Sequence, residues 1–408
     1  MLINRKERKR ESKGFPVLSI MKINKIELHH FRNYDSLVLH PHGNINLFFG
    51  KNGSGKTNLL EAIHYCALGK SHRMNQDQNI IQIGQKEASC SVSVQTSIVR
   101  NDILVQVQSN GQGKTVSINQ KKIRKFSELM GCLRCVIFSP EDLSMIRGGP
   151  SLRRKFLDMM ISQINRNYFI ALQQYRISME QRNAILRESR QRQIKPSGMI
   201  EDFELAMAKN AVIICETRDK MVQLLSEKAI STYHRISARE EENYLITYHS
   251  GLKNADDPET EMKKQLTMNR EEDMRSGVTS FGPHRDDLTM MLNRKDIKIY
   301  ASQGQVRTAA LSIKLSQLHV LSEINGDIPV LLLDDVMSEL DKGRRMNLLD
   351  EIGDTQTFIT CSDESDLDET DVHRVYMVSS LDGCGQVMEK NQGIAEEVEM
   401  TLKEPDFT

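Results

Sequence analysis

The stretch INLFFGKNGSGKTNLLEAI, residues 45–63, leaves this chain few folds to choose from. The apolar run INLFF predicts a buried strand, and the segment from Lys56 has the apolar spacing of a helix. The glycines between them fit the pattern GxxxxGK[ST], in which backbone N–H groups surround a phosphate because no side chains block the approach. The helix dipole adds partial positive charge there. The stretch therefore predicts a strand, a phosphate loop and a helix in series.

The residue types in this loop predict ATP and Mg²⁺ as ligands. Lys56 is expected to contact the β and γ phosphates and to assist catalysis, and the Thr57 hydroxyl is expected to bind Mg²⁺. The predicted ATP-binding residues of the loop are Gly50, Lys51, Asn52, Gly53, Ser54, Gly55, Lys56 and Thr57. A second Gly-Lys-Thr, within 109–119, lies between alternating residues and predicts a hairpin turn with no ligand.

A second stretch, IPVLLLDDVMSELD at 328–341, contains a pair of carboxylates. Its apolar run predicts a strand buried on both faces of a parallel sheet. Since ligands collect at the carboxyl ends of such strands, Asp334 and Asp335 are expected beside the phosphate loop. Asp334 is predicted to bind Mg²⁺ together with Thr57, and Asp335 to orient or deprotonate the water that attacks the γ-phosphate.

A second anion site is predicted in ASQGQVRTAALSIKL, residues 301–315. Ser302 is a good N-cap for the helix that follows, and Gly304 leaves the start of that helix open to close approach. The bland alternative is an ordinary capped helix.

Composition bounds the class of protein. With 408 residues and 39% hydrophobic content the chain can form two lobes. No run of 18 apolar residues and no signal-peptide pattern is present, which predicts a soluble cytoplasmic protein with no membrane partner. Cys132 and Cys135 form one C-x-x-C pair with no second pair, so they are interpreted as ordinary strand residues and not as zinc ligands.

The charges are segregated although the formal net charge is zero. Residues 151–195 contain ten Lys or Arg against three Asp or Glu, whereas residues 363–408 contain three against thirteen. A basic lobe is typical of nucleic-acid binding, and a solvated helix face is the alternative. The predicted DNA-binding residues are Arg153, Arg154, Lys155, Arg187, Arg190 and Arg192, with Arg176 and Arg182 in the same basic cluster.

The periodicity along the chain predicts an α/β protein in which a helical lobe is inserted into a discontinuous nucleotide-binding lobe. Two amphipathic stretches, 151–186 and 200–236, are expected to pack as an antiparallel helix hairpin. The predicted divisions are a basic extension at 1–20, the nucleotide-binding lobe at 21–149 and 276–362, the helical lobe at 150–275 and an acidic, largely mobile tail at 363–408. Either Met21 is the biological start or the extension is a disordered basic arm.

The order of these motifs resembles the ATP-binding-cassette head of chromosome-maintenance and repair ATPases, and within that group the RecF family. The stretches that carry the resemblance are HHFRNYDSL, GKNGSGKTNLLEAI, FSPEDLSMIRGGPSLRRKFLD, FGPHRDDL, SQGQVR and LLLDDVMSELD. By resemblance the chain would be a weak, DNA-stimulated ATPase that dimerises on ATP. It would bind gapped, single-stranded and duplex DNA and help RecO and RecR load recombinase during repair and replication restart.

The resemblance also assigns residues. Ser302, Gln303, Gly304 and Gln305 would form the signature that completes the ATP site of a second copy, and Asp341 would lie in the D-loop at the dimer interface. Arg32 and Asn33 match a position near the nucleotide.

Three departures from the cassette pattern limit the transfer. Asp335 stands where transporter-type cassettes have Glu, which predicts slow hydrolysis, and FITCSD ends without the phosphate-sensing His. Glu141 or Asp142 occupies the place of the lobe-connecting glutamine. The competing hypotheses are a related head ATPase of chromosome organisation or defence, which would need coiled-coil arms or a nuclease domain, and a P-loop metabolic kinase, which would need a lid and an acceptor pocket.

Overall fold

The computed structural model describes residues 19–73, 76–109, 113–196, 198–363 and 372–390. The predicted basic extension therefore lies outside the described residues except for its last two, Ser19 and Ile20. None of the helices in these ranges is long and apolar enough to cross a membrane.

Strands and helices alternate in a mixed α/β order. The strands are β1 (Ser19–Ile20), β2 (Lys22–Phe31), β3 (Tyr34–Leu39), β4 (Ile45–Phe49), β5 (Glu87–Gln95), β6 (Arg100–Gln108), β7 (Lys114–Ile118), β8 (Lys121–Lys122), β9 (Cys135–Phe138), β10 (Tyr244–His249), β11 (Asp287–Leu292), β12 (Lys295–Asp296), β13 (Asp327–Ile328), β14 (Val330–Asp334), β15 (Thr357–Cys361), β16 (Arg374–Leu381) and β17 (Cys384–Lys390). The helices are α1 (Lys56–Leu68), α2 (Leu143–Arg147), α3 (Pro150–Ser162), α4 (Arg166–Arg192), α5 (Met199–Ser237), α6 (Pro258–Met268), α7 (Arg270–Ser276), α8 (Ile297–Tyr300), α9 (Gln303–Asn325) and α10 (Lys342–Ile352).

The central sheet has the order β17-β16-β4-β15-β14-β9, and all neighbours in it are parallel except β17 and β16. Every residue of β14 and β15 is buried, as expected for strands covered on both faces. Because the strands run parallel, the ends of β4, β14 and β15 lie at one edge of the sheet. The phosphate loop, Asp334 and Cys361 therefore meet at that edge.

A second, antiparallel sheet with the order β3-β2-β5-β6-β7-β8 covers helix α1 from the other side. Leu59, Ile63 and Tyr65 of α1 belong to one buried cluster with residues of both sheets. A helix that is buried on all sides needs apolar residues around its circumference, which LLEAIHYCAL supplies. The predicted hairpin at the second Gly-Lys-Thr is confirmed by the antiparallel pairing of β6 with β7, although its tip lies outside the described residues.

The helical lobe confirms one expectation and corrects another. Helices α4 and α5 follow each other through a short connection and pack side by side as the predicted hairpin. The first predicted stretch, however, is two helices, α3 and α4. The chain breaks at Asn165, whose side chain accepts a 2.9 Å hydrogen bond from the Tyr168 N–H and caps α4.

The prediction of a mobile acidic tail from residue 363 is wrong for the part that is described. Strand β16 pairs with β4, and β17 pairs with β16. Val375, Tyr376 and Val378 are buried, and the Tyr376 ring stacks on Phe48 at 4.7 Å. The surplus of carboxylates hid a strand because net charge says nothing about which face of a strand is buried. Residues 364–371 and 391–408 of the predicted tail lie outside the described residues.

Candidate nucleotide-binding site

The phosphate loop needs glycine where other backbone approaches it. Gly50 has φ +154°, and a Cβ there would lie 2.0 Å from the carbonyl oxygen of Val378 in β16. Gly55 has φ +114°, and a Cβ there would lie 2.6 Å from the Asn33 side chain. Both glycines are therefore required by contact as well as by their left-handed backbone. The C-terminal strands thus help to shape the loop.

Lys56 begins helix α1 and points its ammonium group back into the loop. Its Nζ donates to the carbonyl oxygen of Gly50 and, at 3.0 Å, to that of Lys51. Burial lowers the pKa of Lys56, and the nearby carboxylates of Asp335 and Asp334 oppose that shift. A cation is thus held where the phosphates of a nucleotide would lie.

Thr57 and Asp334 bring a hydroxyl and a carboxylate together at the edge of the sheet. The Thr57 hydroxyl donates to Oδ1 of Asp334 at 2.9 Å, and the Thr360 hydroxyl donates to the same oxygen at 2.7 Å. Asp334 is buried at the end of β14. A hydroxyl and a carboxylate within contact are the hard oxygen ligands that Mg²⁺ prefers, so these residues fit the predicted metal.

Asp335 has a different backbone from its neighbour. Its φ is +50°, in the left-handed region that Asp tolerates better than most residues. The Asp335 N–H donates to the Thr360 hydroxyl at 2.9 Å, and the Ser338 hydroxyl donates to Oδ1 of Asp335 at 3.3 Å. These bonds turn the chain so that adjacent aspartates do not share one orientation.

Asn33 contacts the loop, and Arg32 is engaged elsewhere. The Asn33 amide donates to the carbonyl oxygen of Ser54 at 3.0 Å and accepts from Asn58 at 2.9 Å. The Arg32 guanidinium forms a bidentate pair with the fully buried Glu61 of α1, at 3.0 and 2.7 Å. The structure therefore places Asn33 at the predicted site and binds Arg32 to the helix behind it.

A cavity of about 730 Å³ flanks the loop on the side of β16. It is lined by residues 49–54, 362–363 and 377–380. Its size is within the range of small-molecule sites, about 300–1,000 Å³. Asn52 is held there by the Ser362 hydroxyl at 3.0 Å, while the buried hydroxyl of Ser54 has no partner among the described residues.

The predicted signature lies at the start of α9. The Ser302 hydroxyl accepts from the Gln305 N–H at 3.3 Å and the Gln305 side chain accepts from the Ser302 N–H at 3.0 Å, which forms a capping box. Gln303 and Gly304 form the first turn. The guanidinium of Arg344 pairs with Asp341 at 3.0 Å and would lie 3.5 Å from a Cβ at Gly304. The signature and the D-loop are therefore neighbours within one chain.

Asp142 connects the sheet to the signature helix. Lys314 of α9 contacts Asp142 at 2.7 Å and donates to the Ile137 carbonyl oxygen of β9 at 2.9 Å. Glu141 is exposed and lies 3.8 Å from Arg73. Of the two residues considered for the place of the lobe-connecting glutamine, Asp142 makes this link.

The DNA-binding prediction is wrong for Arg153. Its side chain is buried and forms a bidentate pair with Asp287 at 2.7 and 2.9 Å. Arg182, from the same basic cluster, is fully buried between Glu204 at 3.0 Å and Asp273 at 2.7 Å. Sequence alone could not separate these arginines from surface ones because their carboxylate partners lie far along the chain.

The other predicted DNA residues are more accessible. Arg154 is half-buried and donates to the Asp286 carbonyl oxygen at 2.7 Å, and Lys155 is exposed. Arg187, Arg190 and Arg192 are exposed near the end of α4. These three cations form the most open part of the predicted surface.

Several contributors were missed. Thr360 binds both aspartates, Tyr34 donates to the Gly55 carbonyl oxygen at 3.1 Å, and Arg344 lies beside the signature. Tyr34 stands directly after Asn33 in HHFRNYDSL, so its place in that motif was a usable signal. Thr360 had none, because a threonine in a buried strand is common.

Comparison with known proteins identifies the family of this chain. The family described as "RecF/RecN/SMC N terminal domain" matches residues 22–383. The DNA replication and repair protein RecF of Clostridium perfringens is 39% identical over 347 residues, which cover 85% of this chain and 94% of that protein. The chain belongs to the RecF family. RecF of Clostridium novyi is 38% identical over 83% of this chain and 92% of its own length.

Solved structures agree with this membership. The recombination mediator protein RecF with ATP, of the RecFOR pathway, has a TM-score of 0.83 and 32% identity and covers 91% of this chain and 99% of that chain. The Smc head domain from Pyrococcus furiosus has a TM-score of 0.54 at 17% identity and covers 91% of this chain and 96% of its own, which shows a shared fold alone. The predicted fold, an α/β ATP-binding-cassette head with an inserted helical lobe, is confirmed.

Proposed function

We propose that this RecF-family chain is an ATP-dependent DNA-binding protein of recombinational repair and replication restart. The observation that carries the proposal is the 2.9 Å contact between Thr57 and Asp334 beside the Lys56 ammonium. This contact joins a phosphate loop to a carboxylate at the end of a buried strand, the arrangement that phosphoryl-transfer sites use to hold Mg²⁺ and phosphate together. The similarity to RecF, solved with ATP, supports the same nucleotide.

The chemistry assigns one role to each group. Lys56 and the loop N–H groups bind the β and γ phosphates, and Thr57 and Asp334 would hold Mg²⁺, which would neutralise charge on the phosphates. Asp335 orients the attacking water and accepts its proton. An Asp here reaches less far than a Glu, so hydrolysis is slow and the nucleotide serves mainly to control assembly.

Two copies close around ATP. Ser302 and Gly304 of one head face the phosphates bound by the other, and Asp341 lies at the interface. Arg344, held by Asp341 at 3.0 Å, adds a cation beside the signature. The capping box supports this role because it keeps the first turn of α9 formed while the helix N-terminus remains directed to an anion.

The dimer binds DNA through the exposed cations of α4 and acts with mediators of the RecO and RecR type. Contacts to phosphates give affinity for single-stranded, duplex and gapped DNA alike, and DNA stimulates the weak ATPase. The RecFOR pathway of the solved RecF supports this partnership.

The test is sedimentation of the full chain with and without ATP and gapped duplex. We expect a monomer without ATP and a dimer with ATP. Ser302→Arg is expected to abolish the dimer while ATP binding by the monomer stays nearly unchanged, because the added side chain blocks the interface and not the phosphate loop.

Ser231→Arg, at an exposed position of α5, is the matched control for the added charge and bulk. An ATP-dependent dimer of Ser302→Arg as strong as that of the control would refute the proposed arrangement. Transfer of the γ-phosphate to a small molecule, without DNA-stimulated phosphate release, would indicate a metabolic kinase instead.

A further inference from the structure

A second cleft, remote from the phosphate loop, lies between the sheet and the helical lobe. Its volume is about 520 Å³, again within the usual range of ligand sites. The residues after α1, strand β7 and the segment at Phe126 form one wall. Helices α3 and α4 form the other.

Cations converge on this cleft. They are Lys70, Lys114, Lys155 and Arg176. Lys114 pairs with Asp77 at 2.9 Å, and Arg176 pairs with Asp158 at 3.1 Å, but Asp158 is also paired with the buried Arg218 at 2.8 Å. Within the described ranges neither Lys70 nor Lys155 has a carboxylate partner.

The electrostatics favour an anion here. Burial lowers the pKa of Lys70, and the positive charges of Arg176 and Lys114 lower it further, while Asp77, which also lines the cleft, opposes the shift without cancelling it. Like charges gathered in a partly desolvated cleft repel each other, and a bound anion relieves that repulsion. Phosphate and carboxylate are the two anions that such a site would meet in a cell.

The side chains beside the cations favour a nucleotide phosphate over the carboxylates of an acidic peptide. Phe126 and Phe169 are half-buried in the wall, with ring centroids 6.2 Å apart. His64, 1% exposed, also lines the cleft; its Nδ1 donates to the Lys70 carbonyl oxygen at 3.2 Å. Its Nε2 has no partner among the described residues and is an acceptor in the neutral ring. Aromatic faces suit a nucleobase, which can stack on them, whereas an acidic peptide would not use them.

We propose that this cleft binds one unstacked nucleotide of single-stranded DNA. Lys70, Lys155 and Arg176 bind its phosphate, and Phe169 or Phe126 stacks on its base. A paired base cannot enter because it remains stacked inside the duplex. The inference rests on the proposed DNA binding and adds a site that distinguishes the single-stranded side of a gap from its duplex side.

The test measures binding of a fluorescent oligothymidylate and of an abasic oligonucleotide of the same length, each over a range of salt. The double variant Lys70→Gln/Arg176→Gln is expected to weaken oligothymidylate binding and to lower its salt slope by about 0.7 for each lost contact. Phe169→Leu is expected to weaken oligothymidylate binding about fivefold or more while binding of the abasic strand is unchanged, since only a base can stack.

Lys121→Gln/Lys122→Gln, on the exposed edge strand β8, removes the same charge outside the cleft and is the matched control. The inference would be overturned if the cleft double variant bound oligothymidylate as tightly as this control variant does. The inference would also be overturned if polyglutamate competed for the cleft as well as oligothymidylate does and if its binding were unchanged by Phe169→Leu. That result would indicate an acidic peptide as the ligand. ATP-dependent dimerisation and gapped-duplex binding, measured on the same samples, report separately on the proposed function.

Discussion

Among single residues, adjacent Asp334 and Asp335 show how the backbone separates two roles. Asp334 is buried and accepts two hydroxyl hydrogen bonds, at 2.9 and 2.7 Å. Asp335 follows with φ +50°, and Thr360 and Ser338 hold its position. Such backbone strain persists where the surroundings enforce it, which is common at functional sites.

Substituting these aspartates should have different effects. Asp335→Asn is expected to retain ATP binding, to slow hydrolysis by at least about a hundredfold and to prolong the dimer, because the side chain keeps its shape but loses the base. Asp334→Asn is expected to weaken Mg²⁺-dependent ATP binding. Nucleotide binding with and without Mg²⁺ and single-turnover hydrolysis measure the two effects. Hydrolysis at the wild-type rate in both variants would refute the assignment.

The buried Arg153 gives a second prediction for single residues. Arg153→Ala is expected to lower the free energy of unfolding by about 3 kcal/mol, since the change leaves Asp287 without its buried partner. The salt slope of DNA binding should not change. Lys155→Ala, at the exposed cation two positions further on, is expected to give the opposite result, with unchanged stability and a smaller salt slope. If Arg153→Ala instead reduced the salt slope of DNA binding and left the stability unchanged, Arg153 would belong to the DNA-binding surface after all.

Among the elements, three helices meet at one carboxylate. Glu351 of α10 accepts from Arg235 of α5 at 2.6 Å and lies 2.7 Å from His319 of α9. Burial alone would raise the pKa of Glu351, but the hydrogen bonds from His319 and Arg235 outweigh it and lower the pKa to about 2. The helical lobe is tied in this way to the helix that bears the signature.

The lowered pKa of Glu351 predicts that the stability of the fold depends on pH. The folded pKa of Glu351 is below its unfolded value of about 4.3, so the contribution is complete above that value and is lost as the pH falls through about 2. Glu351→Gln is expected to lower the free energy of unfolding by up to about 3 kcal/mol near neutral pH, and by less at about pH 3. Urea unfolding at several pH values measures the difference.

Glu323→Gln is the matched control, because Glu323 of α9 pairs with Lys228 of α5 on the exposed surface at 2.6 Å. An exposed pair contributes less than about 1 kcal/mol. Equal losses in the two variants, or a loss in Glu351→Gln that does not shrink in acid, would contradict the role given to the buried carboxylate.

On the scale of the whole molecule, the charge distribution differs from the one that composition indicated. The basic stretch contributes Arg153 and Arg182 to the interior, which leaves the cations at the end of α4 for solvent. Arg190 donates to the Arg275 carbonyl oxygen at 2.8 Å and Arg192 pairs with Glu188 at 3.1 Å. Such exposed contacts are weak enough to exchange for DNA phosphates.

Replacing Arg187, Arg190 and Arg192 by Ala is therefore expected to weaken binding of all DNA sequences alike. The salt slope of duplex binding should fall by up to about 0.9 for each lost contact. The fall should be larger with ATP than without it if dimerisation brings two DNA-binding surfaces together. ATP binding by the monomer is the control. Removal of residues 391–408, which leaves β16 and β17 in place, tests whether the acidic tail competes. An unchanged slope in both backgrounds would place the DNA elsewhere.

The amino-acid sequence by itself determined the local parts of this protein. The phosphate loop, the strand that ends at Asp334, the cap at Ser302 and the antiparallel strands were predictable, because each depends on spacing within a few residues. The GxxxxGK[ST] spacing, the apolar run of β4 and the capping box each involve residues that are close together along the chain. The order of these motifs was also enough to identify the family.

Only the tertiary structure decided which charges face water and which strands complete the sheet. Arg153 is buried because Asp287, 134 positions away, compensates its charge, and Thr360 supports Asp334 from a neighbouring strand 26 positions on. The strand at 374–381 lies in a stretch whose surplus of Asp and Glu indicated a tail, although the strand itself contains neither residue, and its pairing with β4 makes it part of the sheet. A buried ionic group is stable only with a partner, and the chain's fold, not its local pattern, brings that partner into contact.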